Sequence, residues 1–182
     1  MRVPPQSAGR VVSTPQPREP APARSAQPAE PASPAVLDEA TARASVERFF
    51  AAFAAHDLKG LEAAYRPDAK FKDDMFDLTR RSSILKMWEG APPFKSFKSE
   101  ILAVNGNEVH ARWVVEYEMF GNPIHNEIDS RLTLDSQGRI ASQREDWDER
   151  RWMSQALPAI PRFLQPVAYF FMRPILNMKM GG

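Results

Sequence analysis

The chemistry this chain can offer is concentrated in its carboxylates. The stretch FKDDMFD, residues 71–77, alternates apolar and polar residues as a short strand does and contains the pair Asp73-Asp74. An aspartate at an apolar mouth is partly desolvated, which raises its pKa toward the working range and suits it to move a proton between carbon atoms. The same pair also reads as a cap on the helix that follows, or as a strand end in water. Asp146 and Asp148 share one face of a later strand and read as solvated. His125, beside Asn126, reads either as a pocket residue or as a hydrogen-bonded surface histidine.

Several other chemistries drop out. There is no cysteine, hence no disulfide and no thiol nucleophile. The three histidines, His56, His110 and His125, lack the spacing of paired metal ligands, so no metal site is expected. No glycine-rich phosphate loop is present, so no organic cofactor is expected. A formal net charge of +1 gives no basic excess for nucleic acid.

The elements that must position these residues begin at Asp38, a candidate N-cap. Val46, Phe49, Phe50 and Phe53 then mark one helical face. Asp57 can cap a second, short helix carrying Leu58, Leu61 and Tyr65, with Pro67 as its stop. Residues 69–73 alternate as a strand, and residues 79–89 read as a helix ended by Gly90 and Pro92-Pro93. Three long strands follow. The first spans residues 97–104 and turns at Asn105-Gly106-Asn107, where Asn-Gly suits a tight hairpin. Residues 109–119 alternate with a period of two, and Gly121-Asn122-Pro123 turns the chain into residues 124–134. Asp135 to Gly138 turns it again into residues 140–148. Helices followed by a meander of long strands give an α+β fold, a curved antiparallel sheet wrapped around N-terminal helices. A sheet so curved leaves a concave apolar cavity of the kind that binds ligands.

The ends differ in composition. Residues 1–37 form a proline- and alanine-rich arm, with nine of the chain's 17 prolines in its first 36 positions and no aromatic residue. Such a segment buries too little apolar surface to offset its ordering entropy, and disorder is expected. It lacks the apolar core of a secretory signal, so a cytoplasmic location is expected; its four arginines and no lysine leave organelle import open. Residues 158–182 are apolar, aromatic and interrupted by Pro158, Pro161, Pro166 and Pro174. No run there reaches the ~20 apolar residues of a membrane span. Packing on the chain's own sheet or in a homodimer is favoured over contact with a membrane surface.

From residue 44 to 157 the chain resembles the SnoaL-like, nuclear-transport-factor-2-like superfamily, the cone fold that ketosteroid isomerase also uses. The carrying segments are VERFF, KFKDDMF, the Met87-Trp88 pair, IHNEID (residues 124–129), QREDWDERRW (residues 143–152) and Gln155-Ala156-Leu157. The resemblance implies a cone-shaped α+β barrel over residues 38–157. It also implies Asp73 as general base, matching the aspartate of the family's first strand, and Asp129 as acid. The family's oxyanion tyrosine falls at Phe49, which cannot donate a hydrogen bond; Tyr65 and Tyr117 are the tyrosines that can stand in. In the strand pattern HxDxFDxWxW this chain has Gln143 where His is usual and Glu145 where Asp is usual. The implied activity is proton-transfer chemistry of the isomerase, cyclase or hydrolase type on a small apolar molecule, and the alternative is a non-catalytic binding or dimerisation module. The expected lining is Phe49, Phe53, Phe71, Trp88, Trp113 and Tyr117, although the tryptophans also read as plain core.

Overall fold

The computed structural model describes residues 36–160. Most of the N-terminal arm and of the C-terminal tail, and the expectations attached to them, lie outside the described residues.

Helix α1, Glu39–Ala54, starts where the sequence places its cap: the Asp38 side chain accepts from Thr41 N at 2.8 Å. Its buried stripe of Ala42, Val46, Phe49, Phe50 and Phe53 faces the sheet. Asp57 caps α2, Leu58–Ala64, by accepting from Lys59 N. Gly60 lets α2 approach α1: a Cβ there would lie 2.8 Å from the Ala52 Cβ.

The chain then turns extended two residues before Pro67, which lies inside β1, Tyr65–Lys72, instead of merely ending α2. A proline disfavours helical backbone at the residue before it, so the strand begins early. The pairing of β1 with its neighbour is irregular between Tyr65 and Lys70, where Pro67 has no N–H to give. Strand β2, Asp77–Leu78, folds back on β1, pairing Phe71 with Leu78. Helix α3, Arg81–Glu89, follows, and Arg80 at its N-cap makes no side-chain capping bond, so neither Asp73 nor Asp74 caps it.

The meander is β3 Phe94–Asn105, β4 Glu108–Met119, β5 Asn122–Leu134 and β6 Ile140–Trp147, closed by α4, Glu149–Ala156. The β3–β4 turn uses Gly106 in the left-handed region, at φ +57°. Asn107 contributes differently, its side chain accepting from Leu37 N at 2.7 Å. The next turn lies one residue earlier than expected, on Phe120 and Gly121, both at positive φ, and Pro123 becomes part of β5 opposite Glu118.

Sheet order is β2-β1-β6-β5-β4-β3. One pairing corrects the expectation of a purely antiparallel sheet: β1 and β6 run parallel, with Tyr65 opposite Ile140 and Phe71 opposite Gln143. Parallel neighbours need a long crossover, here supplied by α3 and the whole meander. This makes β6 an interior strand, flanked by β1 and β5. The architecture is the expected α+β cone fold.

On the inner side the core holds a cluster of aromatic rings. Phe53 is its hub, packing edge-on against Trp88 at 4.7 Å and Trp113 at 5.2 Å and tilted against Phe94 at 5.1 Å between centroids. No helix among the described residues is long and apolar enough to cross a membrane.

Candidate active site

A cavity of about 170 Å³ opens between the β1–β2 turn, the end of α3, and β4, β5, β6 and α4. Phe71, Asp73, Met75 and Phe76 form one wall, and Met87 and Trp88 a second. Trp113, Tyr117 and Met119 come from β4, Asn126 and Ile128 from β5, Glu145 and Trp147 from β6, and Trp152 from α4. Period-two alternation explains the strand contributions, since 113, 117 and 119 share a face, as do 145 and 147.

Asp73 sits where β1 ends. Its Oδ1 accepts from Met75 N at 2.8 Å and from Phe76 N, and its own N–H donates to Phe76 O, which closes the β1–β2 turn. The Trp147 indole N–H also donates to the carboxylate. Burial pushes the Asp73 pKa up against these donors, and the neighbouring Asp74 charge adds to the rise.

Glu145 is the second acid of the cavity and is only 5% exposed. On β6 it lies directly opposite Ser130 of β5. Its Oε1 accepts from Ser130 Oγ at 2.9 Å and from Gln143 Nε2 at 2.6 Å. Behind these donors the network continues. Trp113 Nε1 donates to Ser130 Oγ at 2.9 Å; Tyr65 OH donates to Gln143 Oε1; Trp88 Nε1 donates to Tyr65 OH at 3.1 Å. Ser130 and Gln143 are 0% and 2% exposed, so the centre of the network is buried. Desolvation drives the Glu145 pKa up to about 8, with the Asp73 charge pushing the same way and the Gln143, Ser130 and Trp113 hydrogen bonds opposing. Near neutrality Glu145 is therefore a neutral acid beside Asp73.

The expected site residues divide. Asp73, Phe71, Trp88, Trp113 and Tyr117 line the cavity. Phe49 and Phe53 lie behind it: Phe49 meets Tyr65 edge-on at 5.6 Å, and Phe53 supports Trp88 and Trp113. Asp129 needs correction. It points to the outer face of the sheet, accepting from His110 Nε2 at 3.1 Å and Arg112 Nη2 at 3.3 Å, because the inward position on β5 is its neighbour Ser130. His125 also faces outward, between Glu116 and Glu127. Of the stand-in tyrosines, Tyr117 reaches the cavity, with its hydroxyl accepting from Trp152 Nε1 at 2.6 Å, while Tyr65 OH is committed to Gln143.

Sequence reasoning missed Glu145, Gln143 and Ser130 as one network. A signal was present: Gln143 and Glu145 are the two positions where the strand departs from the family pattern, and they share a face. A larger depression, about 490 Å³, lies beside Ser45, Arg48, Asp57, Gly60 and Gly138, with neither an aromatic ring nor a buried acid in its wall.

Solved structures share this fold at low identity. An LEH-like epoxide hydrolase of M. tuberculosis superposes with a TM-score of 0.54 at 16% identity, over 71% of this chain and 96% of that one. AclR, a putative hydroxylase from Streptomyces galilaeus, gives 0.54 at 16% identity, over 76% and 96%. TsrD from Streptomyces laurentii gives 0.56 at 15%, over 68% and 99%. Such likeness speaks for the fold alone. No curated protein sequence matches significantly. The SnoaL-like domain model matches residues 46–143, more than half of the chain, and the protein belongs to the SnoaL-like family.

Proposed function

We propose that this domain binds a compact, largely apolar molecule in the Asp73–Glu145 cavity and moves a proton on it. The observation that carries the reading is the pairing of two acids in one cavity wall: burial drives Glu145 up to about 8, while at Asp73 the N–H donors of a turn oppose the upward push of burial. Environments that separate the protonation of two groups assign the acid and the base between them. Asp73 is the base and accepts a proton from the substrate. Glu145 donates: two hydrogen bonds converge on its Oε1, which leaves Oε2 to carry the proton toward a substrate heteroatom. Tyr65, Gln143, Ser130 and Trp113 are positioning residues that fix the Glu145 carboxyl. The aromatic wall lowers the local polarity, which strengthens both interactions.

Size narrows the substrate. Pockets for drug-sized ligands run to ~300–1,000 Å³, so a cavity of about 170 Å³ suits a single ring or its equivalent.

Native mass spectrometry against one-ring ketones, epoxides and amines identifies binders, and incubation in deuterated water reads proton transfer by deuterium incorporation. Incorporation should fall by ~100-fold or more in Asp73→Asn. Binding without deuterium incorporation or turnover would give the site to a non-catalytic binding module.

A further inference from the structure

The walls of this cavity are chemically one-sided. All four tryptophans of the chain border it: Trp88, Trp113, Trp147 and Trp152. Every one of their indole N–H groups already has a protein acceptor. Trp88 donates to Tyr65 OH, Trp113 to Ser130 Oγ, Trp152 to Tyr117 OH and Trp147 to the Asp73 carboxylate. A ligand therefore meets these rings as ring carbon and π face, not as hydrogen-bond donors.

The ionisable side chains tell the same story. Asp73 and Glu145 are acids, and among the described residues no Lys, Arg or His lines the cavity. Asn126 supplies the side-chain amide of the lining. An anionic ligand would face a carboxylate with no counter-charge in a poorly solvated site, which is costly. A cation gains twice, from the negative faces of the indoles and from the Asp73 carboxyl group, whose charged form the cation itself favours.

We propose that the ligand of this cavity is a compact organic ammonium ion, a protonated tertiary amine or a quaternary ammonium group on a small apolar body, seated against the tryptophans with Asp73 as its counter-ion. This rests on the reading of the cavity as a ligand site, not on turnover. A dry cavity of about 150 Å³ takes a benzene-sized molecule, so the space here admits about six to ten non-hydrogen atoms.

The test uses the full chain and three soluble probes: choline, its neutral carbon isostere dimethylbutanol, and cyclohexanone. Tryptophan fluorescence reads binding, because every tryptophan lies at the site. Choline should bind at least about tenfold more tightly than its isostere, the size expected when a desolvated cation meets aromatic faces. That preference should vanish in Asp73→Asn and persist in Asp129→Asn on the outer face. The wild-type comparison of choline with its isostere stands even if a variant fails to fold. If dimethylbutanol or cyclohexanone binds as tightly as choline, the ammonium inference is overturned while the apolar ligand site survives. If none of the three binds, both readings fall.

Discussion

The two faces of β4, β5 and β6 hold acids in opposite circumstances. On the inner face Glu145 lies opposite Ser130, sealed by Gln143 and Trp113, and holds a proton up to about pH 8. One residue along each strand, on the outer face, Asp129 lies opposite Asp146, with Asp129 paired to His110 and Arg112 in water. The outer face continues with Glu116, His125, Glu127 and Arg151 in a chain of exposed contacts. Exposed pairs of this kind contribute little, since screening and side-chain entropy offset the Coulomb gain. The same residue types, shifted by one position on a pleated strand, become either a tuned acid or solvated charge.

Substitutions should expose this asymmetry, most strongly in the aromatic core behind the site. Phe53→Ala removes the ring that supports Trp88 and Trp113 and should cost ~3–5 kcal/mol, read from the denaturant midpoint. A loss below ~1 kcal/mol would mean that the core is not packed as described.

The next effect is a pH dependence. Glu145 has a folded pKa of about 8 against an ordinary 4.5. The folded state therefore binds the proton more tightly than the unfolded chain. Its contribution to stability is full below about 4.5 and is lost as pH rises toward about 8, so stability should fall across that window. The loss should be on the order of a few kcal/mol, and Glu145→Gln should flatten the curve and leave the variant more stable than wild type in mild alkali. A wild-type stability that rises over this window would contradict the assignment.

Ser130→Ala takes from Glu145 one donor and from the Trp113 indole its acceptor. A loss of ~1–3 kcal/mol is expected, with a further rise in the Glu145 pKa. Across the strand, Asp129→Asn should change stability by no more than ~0.5 kcal/mol and leave ligand binding alone. A large loss of binding there would restore Asp129 as a functional acid.

Much of the frame was legible because it depends on local rules. Asp38 and Asp57 cap the helices they were expected to cap, and the alternation of β4 gives its buried residues directly. Asp73 was legible as a strand-end carboxylate, although its partners proved to be the N–H groups of a turn and not a helix. The misreadings came from decisions made at a distance or by a single position. Choosing between Asp129 and Ser130 needed the register of β5 to one residue, and a slip of one inverts every side chain. The weight of Glu145 depends on β6 lying between β1 and β5, a pairing across nearly the whole domain. No local pattern could carry that information. The Phe120-Gly121 turn was missed because a phenylalanine at positive φ breaks the preference on which turn recognition relies.

The protonation of Glu145 beside Asp73 is the central claim, and infrared difference spectroscopy tests it directly. Spectra of the wild type and of Glu145→Gln, recorded near neutrality and again above the Glu145 pKa, isolate the carbonyl stretch of one protonated carboxylic acid. The expected result is a protonated-acid band near neutrality that is missing in the variant and disappears from the wild type as pH rises through about 8. A wild type showing only carboxylate bands near neutrality would contradict the assignment of Glu145 as the proton donor.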